Sequence, residues 1–124
     1  MSERSRRGQA ANQRGLDAEA AAEAALTRDG WTILARRVRT AAGEIDLVAD
    51  KDGFLTFVEV KARIHLSEAA AALTGRQQAR LIGAADILLA NNPDWGINGV
   101  RFDLLLVDAK GVVRRIADAF RGDT

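Results

Sequence analysis

Residues 44–62 read EIDLVADKDGFLTFVEVKA, two runs in which apolar and polar side chains take turns, joined by DKDG. Successive side chains of a strand point to opposite faces, so this alternation marks half-buried strands. Asp52-Gly53 is the favoured composition of a tight hairpin turn. The pattern therefore predicts a hairpin of Glu44 to Ala49 and Phe54 to Ala62. If Asp52 and Gly53 are the two loop residues, Lys51 pairs with Phe54, Asp46 lies opposite Glu59, and Glu44 lies opposite Lys61. A wider loop pairing Asp50 with Gly53 leaves Asp46 and Glu59 diagonal but still on one face. Only a slip of one residue separates them, and it would turn one strand's apolar side out of the core. Ile45 and Leu47, and likewise Val58, Val60 and Ala62, are expected to point away from these charged residues.

The rest of the chain surrounds this hairpin with helices and further strands. Residues 15–29 are dense in Ala, Leu and Glu, strong helix formers, and Gly30 supplies the stop. Trp31 to Arg39 reads as a strand. Thr74 and Gln77 have the spacing of a capping box, and Leu81, Ile82, Ala85, Leu88 and Leu89 follow at helical intervals until Asn91-Asn92-Pro93. Val100 to Val107 is almost continuously apolar, which predicts burial on both faces. A short strand, Val112 to Ile116, closes the order α-β-β-β-α-β-β. The expected fold class is α/β, a single domain with a mixed central sheet flanked by helices. Residues 1–14, with Arg4, Arg6, Arg7 and Arg14 against Glu3, are expected to be a mobile basic arm, 15–120 the domain, and 121–124 a tail.

Composition narrows the possible chemistry. The 124 residues suit one domain, and 48% hydrophobic content is enough for a core. Cysteine is absent, which removes disulfides and thiolate metal sites. Charge interrupts every apolar stretch well before the ~18 residues of a membrane span, and the polar N-terminus is no secretory signal. A cytoplasmic protein without membrane association is the expectation. The net charge of +1 still permits a local basic face, and Arg outnumbers Lys 15 to 3, a bias that suits phosphate contacts or reflects coding preference.

The hairpin carries the informative chemistry. Facing positions place Cβ atoms about 4.5–5.5 Å apart, where like charges repel. Carboxylates gathered around one spot call for a cation. Oxygen ligands without Cys point to Mg²⁺ or Mn²⁺. Lys61 on the same face is placed to orient or deprotonate a water, a layout for metal-assisted attack on a phosphodiester. The plainer alternative is a solvated sheet face with cross-strand ion pairs.

GEIDLVA (43–49) followed by FVEVKAR (57–63) resembles the small bacterial YraN-type family, which looks like a member of the PD-(D/E)XK nuclease superfamily, alongside Holliday junction resolvases and type II restriction enzymes. The resemblance runs from about Gly15 to Phe120 and includes Gly15, Ala18 and Glu19, the Trp31 segment, Ala84-Ala85 and Arg101-Phe102-Asp103. It implies a restriction endonuclease-like α-β-β-β-α-β core. It also implies that Asp46, Glu59 and the Val60 backbone carbonyl hold the metal, that Lys61 positions the water, and that Glu19 completes the outer shell or binds a second ion. The sequence departs from the pattern at Ile45, where the superfamily has Pro, at Gln77, where Lys is expected, and at Arg37, often Asn.

The remaining candidates are supporting. Glu44 extends the acidic cluster or pairs with Lys61 or Arg39, and Gln77 stands near the expected phosphate contacts. Arg39, Arg63, Arg76 and Arg80 are candidate nucleic-acid contacts, with Arg36 and Arg37 also flanking the site. His65 is an ordinary loop residue, Asp103 a buried acid needing backbone or Arg101 as partner, and Trp31 and Trp95 packing residues, with base-stacking platforms as the alternative. The functional expectation is a metal-dependent endonuclease acting on nucleic acid, DNA before RNA, with a homodimer required for cutting symmetric junctions. The alternatives are a catalytically inactive nucleic-acid-binding module and an interaction partner in DNA repair or uptake.

Overall fold

A computed structural model describes residues 17–62 and 73–120. The arm expected over 1–14, the tail 121–124, Arg63 and His65 lie outside the described residues. Helix α1 spans 17–28, followed by β1 (Thr32–Arg39), β2 (Glu44–Lys51), β3 (Phe54–Ala62), α2 (Gly75–Asn91), β4 (Gly99–Val107) and β5 (Val113–Phe120). This is the α/β order expected from the sequence, in a five-stranded sheet ordered β1-β2-β3-β4-β5. The β3–β4 pairing is parallel and the others are antiparallel, so the sheet is mixed.

The tight turn sets the hairpin register. Asp52 and Gly53 both have positive φ, 54° and 82°, the backbone of a primed two-residue turn, and Lys51 pairs with Phe54. That is the narrower of the two registers. The turn is held from outside: Asn98 donates its backbone N–H to the Gly53 carbonyl (3.0 Å) and its side-chain amide to that of Asp52 (2.7 Å).

Each face of the sheet carries a core. Ala18, Ala22 and Leu26, one turn apart on α1, pack on Leu47, Ala49, Val58, Leu105 and Val107. The two alanines let the helix axis approach the sheet closely. On the opposite face, Leu81, Ala84, Ala85 and Leu88 of α2 cover Ile45, Val48, Leu55, Phe57 and Phe102. The capping box at the start of α2 forms: Thr74 Oγ1 accepts from the Gln77 N–H (3.2 Å), and Gln77 Oε1 accepts from the Thr74 N–H (3.0 Å). Phe102 to Val107 is buried throughout, as expected of a strand covered on both sides. Strand β5 runs to Phe120, beyond the expected end at Ile116.

Strict alternation fails at one place, and the sequence expectation is corrected there. Ile45 and Leu47, two apart, should share a face, yet Ile45 lies in the α2 core and Leu47 in the α1 core. Strand β2 changes face at Asp46. Its neighbour β1 does so at the same level: Arg36 pairs with Leu47 and Val38 with Ile45, and Arg37 between them has φ +50°. The consecutive residues Arg36 and Arg37 consequently both reach α1, contacting Glu23 and Glu19. The inward expectation for 58–62 also holds only in part: Val58 is buried, Val60 half-buried and Ala62 exposed.

Candidate active site

The β2–β3 ladder runs from Lys51–Phe54 to Leu47–Val58. Beyond it, β3 leaves the buried core, and Glu59, Val60 and Lys61 are half-buried. Asp46 sits in the fork. Its Oδ2 accepts the Val60 backbone N–H at 2.7 Å, filling a place a ladder carbonyl would otherwise occupy. The register puts Glu59 across from Asp46, and the electrostatics agree. Burial first, and the Glu59 charge next, push the Asp46 carboxyl up to about 7, against the lowering effect of the Val60 hydrogen bond. Glu19 and Glu44 add smaller contributions in the same upward direction.

The other candidates are held by partners. Lys61 Nζ lies 3.2 Å from Glu59 Oε1, both side chains being largely covered. Glu19 accepts a hydrogen bond from Arg37 Nε at 2.8 Å. Glu44 faces Arg39 at 3.4 Å, so of its two anticipated partners Arg39 is the one in contact. Asp46, Glu59, Lys61, Glu19 and Glu44 thus lie around one polar fork, fed by α1, β2 and β3. The α2 residues stand differently. Gln77 spends its side-chain oxygen on the helix cap. Arg80 is exposed but anchored beside the site: a Cβ on Gly43, which precedes Glu44, would stand 3.5 Å from Arg80 Cβ. Arg76 is exposed on the first turn of α2.

The fit of this donor set to a divalent cation rests on Asp46. A half-buried carboxylate that accepts one backbone hydrogen bond beside Glu59, Glu19 and Glu44 is partly ionised at neutral pH, and among the described residues it has no ion-pair partner of its own. A hard cation is the partner that chemistry lacks. Among the described residues, no three His, Cys, Asp or Glu side chains converge into a ready-made ion cage. A cation here would be held by the Asp46–Glu59 pair together with backbone or water oxygens.

One residue matters that the sequence reading did not single out. Arg115 Nη2 lies 2.6 Å from the fully buried Asp103 Oδ2, with Arg101 Nη2 at 3.2 Å, and Asp103 Oδ1 accepts the Asp118 N–H at 2.8 Å. Asp103 therefore has both of its expected partners and a third. Arg101 and Arg115 also stack over the Trp31 ring at 5.0 and 5.1 Å, which makes Trp31 a buried packing residue and removes it as a base platform. Trp95 is half-buried against the α2 core. Arg37, expected to flank the site, has a positive φ that no local sequence signal announces.

The profile of the uncharacterised protein family UPF0102 matches residues 18–107. A UPF0102 protein of Granulibacter bethesdensis is 58% identical over 117 residues, 94% of this chain and 74% of its own length. One from Azorhizobium caulinodans is 48% identical over 115 residues (93% and 88%), and one from Rhodopseudomonas palustris 46% over 111 residues (90% and 85%). The matched span runs from the buried Ala18 on α1 to the last residue of β4, and so includes every element that builds the fork.

Proposed function

The chain belongs to the uncharacterised protein family UPF0102, the YraN family, and from the geometry of the fork we propose that it is a metal-dependent nucleic-acid phosphodiester hydrolase. The observation that carries this reading is the half-buried Asp46, without an ion-pair partner of its own among the described residues, facing Glu59 at a fork where the sheet leaves its core. Asp46 and Glu59, with the Val60 carbonyl and Glu19, would hold Mg²⁺ or Mn²⁺. The ion supplies Lewis-acid polarisation of a phosphoryl oxygen and a more acidic water.

The chain's own residues provide the rest. The Val60 N–H fixes the rotamer of Asp46, so the carboxylate does not need to be organised on arrival of a ligand. Lys61 neutralises Glu59 and is held within reach of the same spot, where its ammonium orients an attacking water or stabilises charge developing on phosphate. Arg80 and Arg76 on α2, with Arg39 on β1, are the groups that would contact the sugar-phosphate backbone, Arg80 lying beside Gly43 at the start of β2. DNA is the favoured substrate through the resemblance to resolvases and restriction enzymes. Cutting both strands of a symmetric junction would use two copies about a two-fold axis.

A second reading, a binding module without turnover, is favoured by one observation. Glu19, Glu44 and Glu59 already have Arg37, Arg39 and Lys61 as partners. Cleavage assays separate the two. Purified protein with Mg²⁺ or Mn²⁺ is expected to cut at least one of duplex, single-stranded or branched DNA, and Asp46→Asn or Lys61→Ala to abolish it with the fold intact. Absence of cleavage on all three, with salt-sensitive binding retained and no metal heat in calorimetry, selects the module.

A further inference from the structure

We propose that Arg37 is a phosphate-contacting residue of the candidate site, held against Glu19 until a nucleic-acid backbone takes its guanidinium. This rests on the nucleic-acid reading above and names a contact which that reading lacks.

Backbone conformation is the first observation. Arg37 has φ +50°, a left-handed conformation that L-residues with long side chains avoid. Such conformations persist where surrounding structure enforces them, and they concentrate at functional sites. Here the conformation redirects a side chain. Ordinary alternation would send Arg36 and Arg37 to opposite faces, but the positive φ brings Arg37 round to the α1 side, level with Asp46 between the Arg36–Leu47 and Val38–Ile45 pairs.

The second observation is how little of the guanidinium is committed. Arg36 grips Glu23 with both Nε and Nη2. Arg37 has about the same exposure, 51% of its side chain, yet its one hydrogen bond among the described residues uses Nε alone. A guanidinium has five donors in a planar fork, so its terminal nitrogens remain for two phosphate oxygens. Position completes the case. The Arg37 charge is favoured by Glu19 and then by Glu44 and Asp46, so it stands among the carboxylates that would otherwise repel a phosphate. A group there offsets that repulsion as the backbone arrives, whereas Arg36 one residue away has Glu23 as its partner among the described residues, through both Nε and Nη2.

The test is binding of a short fluorescent DNA duplex in EDTA across a salt series, for the full chain. Arg37→Asn, whose new side chain tolerates left-handed backbone, is expected to bind about tenfold more weakly. The slope of log K against log salt should become shallower by about 0.9, the share of one phosphate. Arg37→Lys keeps the slope, Arg36→Asn leaves it at the wild-type value, and thermal unfolding of Arg37→Asn shows no loss of stability. Should Arg37→Asn fail to fold, Arg37→Gly makes the same measurement with the backbone relaxed further. An unchanged slope in the Arg37 variant, an equal drop in Arg36→Asn, or no duplex binding by the wild type at low salt overturns the proposal. Cleavage is scored separately. A wild type that never cuts but loses its phosphate share on substitution of Arg37 sinks the hydrolase reading alone. One that cuts while the slopes coincide sinks only the role of Arg37.

Discussion

Replacing Asp46 by Asn tests whether the fork stores uncompensated charge. The Asp46 carboxyl titrates at about 7 in the folded protein against an ordinary 3.8. The folded state therefore retains a proton that the unfolded chain has released between those values. Stability falls as pH rises from about 4 through 7, and the loss stays in full above that. Integrated over the two titrations, keeping this carboxyl in the fork costs about 2 kcal/mol at pH 5, where it is held protonated, and about 4 kcal/mol at pH 8, where it is ionised. Asn keeps the shape and an oxygen for the Val60 N–H but never ionises. Urea unfolding of both proteins at pH 5 and pH 8 is the assay, with the midpoint and slope determined separately. Asp46→Asn should be the more stable protein at both values, with the gap widening by about 2 kcal/mol between them. Loss of activity accompanied by gain of stability is the signature of a site that holds strain for function. A variant no more stable than wild type at pH 8, or a gap that narrows as pH rises, refutes the electrostatic account of the fork.

Three further expectations follow from the same geometry. Mn²⁺ added at pH 8 should raise the unfolding midpoint of the wild type, by the equivalent of about 2.7 kcal/mol at a hundred times its dissociation constant, and leave Asp46→Asn unmoved in differential scanning fluorimetry. Asp103→Ala strips the partner from Arg115 and Arg101 in a buried setting and should cost about 3–5 kcal/mol in chemical denaturation, whereas a loss under 1 kcal/mol would mean that water replaces the carboxylate. Thr74→Ala removes the cap of α2 and should cost about 1 kcal/mol, readable as a shift in urea midpoint without change of slope.

The sequence was legible where local rules decide. The hairpin register follows from two residues whose backbone preference matches the turn, Asp52 and Gly53, and the start of α2 follows from Thr74 and Gln77, which satisfy each other's N–H groups. The bounds of β3 come from a run of β-branched and aromatic residues that begins directly after the Asp52-Gly53 turn. Illegible features required the third dimension. Alternation predicts faces for as long as a strand keeps its pleat, and β2 loses it at Asp46 because the adjoining β1 turns left-handed at Arg37, a residue with no preference for that conformation. The pairing of Asp103 with Arg115 depends on β5 carrying extra residues opposite Phe102–Leu104, where Asp118 has φ +52°. Neither displacement leaves a mark on the composition of the strand concerned.

Those two irregular places invite a comparison that separates structure from function. At each, an acid from one strand accepts a backbone N–H of its neighbour where regular pairing lapses: Asp46 from Val60 (2.7 Å), Asp103 from Asp118 (2.8 Å). A carboxylate is an efficient patch for an orphaned N–H, and on that ground alone both residues are explained by folding. Their charges are treated in opposite ways. Asp103 is enclosed by Arg115 and Arg101, so its negative charge is cancelled inside the protein. Asp46 meets Glu59, Glu19 and Glu44, while the nearby Lys61 and Arg37 are bonded to Glu59 and Glu19 instead. If patching an N–H were its whole purpose, Asn or Ser would serve Asp46 without the cost of ionisation near neutral pH. A charge that destabilises the fold is one that a bound cation would relieve, and in this chain that describes Asp46 and not Asp103.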